Sequence, residues 1–247
     1  MKNRIRLFGN LNRAIEPKVP LLIVAIVAVI GFTIVACGDS GSGDSSSPKH
    51  KHTWGEWTVT TAPNFTTSTA GEETRTCSEC GTSENQAYPI YEIGETGPGS
   101  GIIIYRNETA FGSNWHYLEA ATTDQATSIT WSSTNVDVTG ATGTAIGTGK
   151  ANTAAIIAAH PSDTASNNAA KAANVTIGGK SDWFLPNKDE LTEMYKARSY
   201  LGISSGFYWS SQQGSINNAG CYIFLTGQEY GYGSKNNPSN VRAVRAF

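Results

Sequence analysis

The sequence predicts an α+β fold in which a small β-ribbon module precedes a larger domain of mixed β-strands and two or three helices. Short runs rich in Val, Ile, Thr and aromatic residues recur in both parts and are typical of strands. An alanine-rich stretch over residues 150–173 lies between the strand runs of the larger domain and favours helices. Glycine and proline turns separate these segments, so we expect short elements.

The N-terminus has the composition of an export signal. Before residue 19 several basic residues stand against the single acid Glu16, and an uncharged apolar run then extends to Cys37. The far side, "GDSGSGDSSSP", carries acids only, which orients the remainder of the chain away from the cytoplasm. Residues 34–37, Ile-Val-Ala-Cys, resemble the lipobox of bacterial lipoprotein signal peptides.

We therefore expect residues 1–36 to be a lipoprotein signal peptide and Cys37 to carry acyl chains such as palmitate. Two or three chains anchor a protein firmly, because each buried methylene contributes about 0.8 kcal/mol. Gly38 stands where an aspartate retains some lipoproteins at the inner membrane, so the outer membrane or the cell surface is the expected location. An uncleaved transmembrane helix is the alternative, and it also places residue 38 onward outside the cytoplasm.

The charge balance excludes nucleic acid as a partner. The chain has 18 Lys and Arg against 20 Asp and Glu, and no basic stripe follows the signal. Residues 37–50 are rich in Gly, Ser and Asp, which predicts a flexible linker between the lipid anchor in the membrane and the folded parts.

Residues 51–88 are expected to form the small module. "TWGEWTVTTA" and "GEETRTC" have the residue types of two short strands that pair as a ribbon. With the following Cys-x-x-Cys-Gly, they resemble a module of bacterial surface proteins, which implies a spacer or an adhesive repeat. The residues that carry this resemblance are His52, Trp54, Gly71, Glu72, Arg75, Cys77, Cys80 and Gly81.

Cys77 and Cys80 leave two alternatives open. Two thiolates at this spacing can bind a structural zinc ion from a tight turn, and His50 and His52 would supply the other two ligands. Outside the cytoplasm the same thiols can form a disulfide. Redox catalysis ranks below both, because the strand–helix pattern around a catalytic Cys-x-x-Cys is missing.

Residues 89–247 are expected to form the large domain. Its first strand follows a Gly/Pro turn and contains the apolar run Ile102–Tyr105. "NWHYLEAA" and "TSITWSS" predict two more strands, and "GFYWSSQ", "GCYIFLTG" and "NVRAVRAF" predict three near the C-terminus. The polar segment 227–240, between the last two, is expected to be a loop.

Three helices are expected in the middle of this domain. Lys150–His160 is alanine-rich and ends before Pro161, and a second helix follows over 163–173. In the third, Asn187 occupies the N-cap position and Glu190 completes a capping box, where acids also favour the helix dipole. The acids of "GGKSDWFLPNKDEL" are therefore interpreted as structural rather than catalytic.

Six motifs in order resemble the Lcl C-terminal-like domain family. They are "IGETGPGSGIIIY", "WHYLEAA", "GTAIGTGKANTAAI", "GGKSDWFLPNKDELTEMY", "YWSS" and "VRAVRAF", and they span the large domain. The resemblance implies a C-type-lectin-like fold whose first and last strands pair. It also implies adhesion or ligand binding at a bacterial cell surface, with glycan-like partners.

Enzymatic signatures do not fit the chain. "GTAIGTGK" lacks the first glycine of a phosphate loop and the Ser or Thr after its lysine. No Gly-x-Ser-x-Gly elbow accompanies His116 or His160, and Cys221, the single thiol of the large domain, is expected to be a buried core residue. "NNPSN" lacks the carboxylate of a calcium-dependent sugar site. We expect no enzyme activity and no cofactor other than the zinc considered above.

The candidate ligand-binding residues lie in segment 227–240. Tyr230 and Tyr232 can stack on a sugar face, while Glu229, Asn236 and Asn237 can hydrogen-bond its hydroxyls. In the alternative, the tyrosines pack inward on the domain's own core. The expected function is a non-enzymatic, lipid-anchored envelope protein for surface adhesion or for binding a glycan or host-matrix molecule. A structural envelope lipoprotein without a soluble ligand is the alternative, and an exported enzyme ranks third.

Overall fold

Mainly antiparallel strands with three helices form the described part of the chain, which confirms the predicted α+β class. The computed structural model describes residues 51–108 and 115–247, without the side chains of residues 229 and 230. The strands of this part of the chain are β1 (Thr58–Thr61), β2 (Gly71–Thr76), β3 (Ser83–Tyr88), β4 (Ile102–Arg106), β5 (Tyr117–Ala120), β6 (Ala126–Ile129), β7 (Phe207–Gln213), β8 (Asn218–Ile223), β9 (Gln228–Ser234), β10 (Ser239–Val241) and β11 (Val244–Ala246). Its helices are α1 (Gly149–Ala159), α2 (Ala169–Ala173) and α3 (Lys188–Lys196).

The small module is a three-stranded antiparallel sheet in the order β1-β2-β3. The two predicted strands of the ribbon are confirmed, and β3 adds a third that the sequence did not predict. β3 pairs with β2 in unbroken register from Thr76 opposite Ser83 to Gly71 opposite Tyr88. Its sequence, SENQAY, is almost entirely polar, with three exposed residues and a single buried one, so hydrophobic patterning did not reveal it.

Two further sheets form the large domain, in the orders β11-β5-β4 and β6-β10-β7-β8-β9. The C-terminal strand β11 pairs with β5, and β5 separates it from β4. The expected pairing of the first and last strands of the large domain is therefore wrong. β5 lies between them because the buried carboxylate of Glu119 binds Gly101 N, next to β4, and the Arg245 guanidinium of β11.

Segment 227–240 is not the loop that its polar composition predicted. Most of it forms β9, which pairs with β8 at the edge of the five-stranded sheet, and β10 begins before it ends. An edge strand tolerates polar residues and glycine because one of its sides faces solvent. Gly231 adopts a positive φ of 76° where the register with β8 shifts, as a glycine at a β-bulge does.

The helices follow the sequence signals, with one difference. α1 matches the predicted alanine-rich helix, and α3 begins with the predicted capping box: Asn187 accepts from Glu190 N at 2.9 Å, and Asn187 N donates to Glu190 Oε2 at 2.7 Å. α2 is shorter than predicted, because Asp163 accepts hydrogen bonds from Ser133 and from Asn168 Nδ2 and so holds the preceding residues in turns. Asn168 then caps the helix.

Three tryptophans lie in the main hydrophobic core, which packs against α1 and α2. Trp131, Trp183 and Trp209 are all at most 1% exposed, and each indole N–H donates to a backbone carbonyl. Burying these rings is therefore favourable, since no polar atom of the indoles is left without a partner. Cys221, 5% exposed, belongs to the same core, as predicted. A second core cluster packs around Phe184, on the side of α3.

A third, smaller cluster joins the ribbon to the large domain. Tyr88 of β3 packs with Ile103 and Tyr117, and the rings of Phe65 and Phe247 both contact Tyr117. The predicted signal peptide, the lipidated Cys37 and the linker lie outside the described residues. Within residues 51–108 and 115–247, no helix combines the length and apolar character that crossing a membrane requires.

Candidate functional site

A cleft of about 920 Å³ lies at the junction of the ribbon and the large domain. All three ribbon strands contribute to its wall, and the opposite side comes from the segment before β5, the turn before α1 and the C-terminal strand. Its volume is in the range of small-molecule sites, which are commonly found where structural units meet.

Two buried polar side chains, Tyr88 and His116, line this cleft. They are 6% and 3% exposed, and their rings meet edge to face with centroids 5.7 Å apart. Neither Tyr88 Oη nor His116 Nδ1 has a hydrogen-bond partner among the described residues. A buried polar atom without a partner costs about 1–3 kcal/mol, so this pair needs a functional explanation.

Both side chains of the pair are uncharged at neutral pH. Burial raises the pKa of Tyr88 and lowers the pKa of His116, in each case because the charged form is poorly solvated. The pair therefore presents a phenol O–H donor and a neutral imidazole nitrogen. The backbone of His116 is held by its N–H group, which donates to Phe247 O at 2.7 Å, and its ring packs against the Tyr88 ring.

Half-buried aromatic rings form much of the cleft wall. They are Trp57 of the ribbon, Tyr91, Trp115 and the C-terminal Phe247. Tyr91 meets Phe247 edge to face at 5.8 Å, and the guanidinium of Arg75 lies 4.7 Å from the centre of the Trp57 ring. These contacts hold the rings in place, so their remaining exposed faces are available to a flat apolar surface.

The charged side chains of the cleft balance one another. The acids are Glu56, Glu73 and Asp182, and the bases are Lys150, Lys180 and Arg245. Arg245 is held firmly, since its Nε donates to Asp182 at 2.5 Å and its Nη1 to Glu119 at 2.8 Å. Equal numbers of acids and bases give the cleft no strong preference for an anion or a cation.

Glu119 holds Arg245, a residue of the cleft lining, in place. Its carboxylate, fully buried, also accepts from the backbone N–H groups of Gly99 at 3.0 Å and Gly101 at 3.1 Å. The loop can wrap the carboxylate because these residues are glycines: a Cβ at Gly101 would lie 2.7 Å from Ala120 O and 2.8 Å from the Trp183 ring. The "GPGSG" motif thus encodes a carboxylate-binding loop.

The residues predicted to bind a ligand in segment 227–240 do not line the cleft. Tyr232 points outward, 48% exposed, and its hydroxyl accepts from Gln212 Nε2 at 2.9 Å. Asn236 and Asn237 are exposed in the turn that follows β9. The side chains of Glu229 and Tyr230 lie outside the described part of the chain. A ligand site here stays a prediction.

The predicted metal or disulfide residues come together in the ribbon. His52 Nδ1 and the sulfur atoms of Cys77 and Cys80 all lie within 4.8 Å of one another. His50, the other histidine considered for this site, lies outside the described residues.

No local sequence pattern predicts the Tyr88–His116 pair. His116 lies between Trp115 and Tyr117, and the sequence suggests for it only a catalytic role. Tyr88 precedes it by 28 positions and belongs to a polar strand that was not predicted. An unusually polar residue within an apolar strand run was the one available signal.

The fold and the cleft define an α+β domain built on a five-stranded and a three-stranded sheet, with a β-ribbon against one side. The sequence profile of the Lcl C-terminal domain matches residues 120–245, slightly more than half of the chain. The chain belongs to this family, which confirms the resemblance inferred from the six motifs. The match begins at the end of β5, so Tyr88 and His116 precede it. The search of curated proteins found no match.

Proposed function

We propose that this chain is a non-enzymatic envelope protein, anchored by a lipid at Cys37, whose C-type-lectin-like domain and ribbon together bind a neutral glycan in the cleft. The observation that carries the proposal is the pair of buried side chains Tyr88 and His116 in the lining of an aromatic-walled cleft, whose Tyr88 Oη and His116 Nδ1 have no hydrogen-bond partner among the described residues. A ligand hydroxyl that reaches them restores the missing hydrogen bonds.

The chemistry of the cleft suits a sugar. Sugars present apolar ring faces that stack on aromatic side chains and hydroxyls that both donate and accept hydrogen bonds. Trp57 and Tyr91 supply the aromatic surface, while the neutral Tyr88–His116 pair supplies one donor and one ring nitrogen. The balanced charges of the rim favour an uncharged ligand over a phosphate or a polyamine.

The cleft is less suited to nucleophilic catalysis. None of the described residues that line it is a serine or a cysteine, so His116 has no such nucleophile beside it. Arg245 and Asp182 form an ion pair with each other, so these two side chains already have a charged partner. These features support binding without turnover.

A glycan array probed with the purified full chain tests the proposal. For the tightest neutral glycan, we expect Tyr88→Phe to weaken binding about fivefold, the equivalent of about 1 kcal/mol for one hydrogen bond. The variant should fold at least as stably as the wild type, because it removes a buried hydroxyl without a partner among the described residues.

Tyr232→Phe is the matched control, since it removes a tyrosine hydroxyl outside the cleft. We expect it to leave the affinity unchanged. Weakening by Tyr232→Phe with no effect of Tyr88→Phe would move the site to segment 227–240. An array without any bound glycan would favour the structural envelope lipoprotein.

A further inference from the structure

The ribbon brings three metal-ligating atoms together at the end of β2. His52 Nδ1 lies 3.4 Å from Cys80 Sγ, and both lie within 4.8 Å of Cys77 Sγ. In a tetrahedral zinc site with Zn–S near 2.3 Å and Zn–N near 2.0–2.1 Å, sulfur and nitrogen are separated by about 3.6 Å and two sulfurs by about 3.8 Å. The three atoms therefore already have close to the spacing of zinc ligands.

The backbone holds the three residues in this arrangement. Gly81 N donates to Cys77 O at 3.0 Å, which closes the tight turn that carries both cysteines. The segment that follows His52 runs alongside this turn: Ser78 N donates to Thr53 O at 3.0 Å, and Gly55 N donates to Thr76 O at 3.0 Å. Because these bonds set the register, His52 faces the turn whether or not its side chain has a ligand.

The surroundings also match a structural metal centre. Cys77 is 1% exposed, whereas His52 and Cys80 are half-buried. The imidazole of His52 stacks on Trp54 with ring centroids 4.8 Å apart, which restricts its rotation. Rotationally restricted ligands lose little entropy on binding a metal ion.

We propose that His52, Cys77 and Cys80 bind one zinc ion, which fastens the N-terminal segment of the ribbon to the turn between β2 and β3. Two thiolates and one imidazole are ligands that zinc prefers, and a fourth ligand completes the tetrahedral coordination of a structural site. Binding releases the two thiol protons to solvent and changes no oxidation state. This inference is independent of the glycan proposal, since the three ligands lie outside the cleft.

Cobalt titration of the full chain, purified with its thiols reduced, tests the site. Tetrahedral thiolate coordination gives Co²⁺ intense visible absorption, and we expect it to saturate at one ion per chain and to disappear when Zn²⁺ is added. Cys80→Ser should abolish this signal. His52→Ala should weaken Zn²⁺ binding at least about tenfold, because loss of a ligand costs no less than loss of an outer-shell partner.

Cys221→Ser is the matched control, because Cys221 is a free thiol in the core of the large domain. It should bind cobalt as the wild type does. Both Cys80→Ser and His52→Ala change half-buried residues, so circular dichroism can verify their fold while metal binding is lost. No cobalt signal in the reduced wild type, or an equal loss with Cys221→Ser, would overturn the inference. So would a Cys77–Cys80 disulfide in chain isolated from cells without reductant.

Discussion

The buried carboxylate of Glu119 provides the sharpest stability prediction. Replacing it in Glu119→Ala leaves the N–H groups of Gly99 and Gly101 and one arm of the Arg245 guanidinium without their acceptor. Arg245 is itself 7% exposed, so water cannot readily replace the lost contact. The substitution thus releases the glycine loop before β4 and loosens the C-terminal strand at the same time.

The expected loss is about 3–5 kcal/mol, the usual cost of removing one partner of a buried ion pair. Arg245 retains Asp182, at 2.5 Å, which keeps the loss within that range. A loss of this size is a large fraction of the 5–15 kcal/mol by which a domain is typically stable. Adding Arg245→Met should recover part of it, because the double variant no longer buries a guanidinium that has lost one of its two carboxylate partners.

Guanidinium unfolding of the full chain, followed by the fluorescence of the three buried tryptophans, measures this loss. Glu92→Ala is the matched control: Glu92 binds Arg106 through both oxygens at 2.8 and 2.9 Å, but its side chain is 62% exposed. We expect the control to cost at most about 1 kcal/mol. If Glu119→Ala cost no more than Glu92→Ala, Glu119 would not organise the fold.

Two further predictions concern the pH dependence of stability. Burial raises the pKa of Glu190 from 4.5 to about 7 in the folded chain, against the pull of its backbone hydrogen bonds. Between these pH values the folded state binds more protons than the unfolded state. Up to about 3 kcal/mol of the free energy of unfolding should therefore be lost as pH rises from about 4.5 to 7. In urea unfolding, Glu190→Gln should show a smaller dependence of stability on pH over this range. Burial lowers the pKa of Lys235 from 10.5 to about 8. The free energy of unfolding should therefore rise between pH 8 and 10.5, and Lys235→Met should remove that rise. If either variant kept the pH dependence of the wild type, the pKa shift would not belong to the substituted residue.

The sequence predicted the parts of the fold that local chemistry determines. The α3 capping box of Asn187 and Glu190 needs only residues three positions apart, and it forms as expected. The buried run Trp183–Leu185 and the buried Cys221 follow from apolar composition alone. In contrast, the polar strands β3 and β9 carry no hydrophobic signal, and only pairing with a neighbouring strand reveals them.

The candidate sites depend on contacts between residues that are far apart in the sequence. Glu190, read from the sequence as a cap, also accepts from Gly147 N at 2.8 Å, a residue 43 positions earlier. Tyr88 and His116 are in contact because β3 ends and β5 begins at the junction of the ribbon and the large domain, and no local sequence pattern predicts that contact. Cys77 and Cys80 were identified from their spacing, whereas the facing position of His52 depends on the backbone register of the ribbon.

The most direct test of the central proposal observes His116 itself while a glycan binds. In a nitrogen-15 NMR titration of the full chain with the tightest neutral glycan from the array, we expect the His116 Nδ1 resonance to shift and to saturate at the same concentration as binding. A glycan that binds fully and leaves this resonance unchanged would show that the ligand lies elsewhere on the protein.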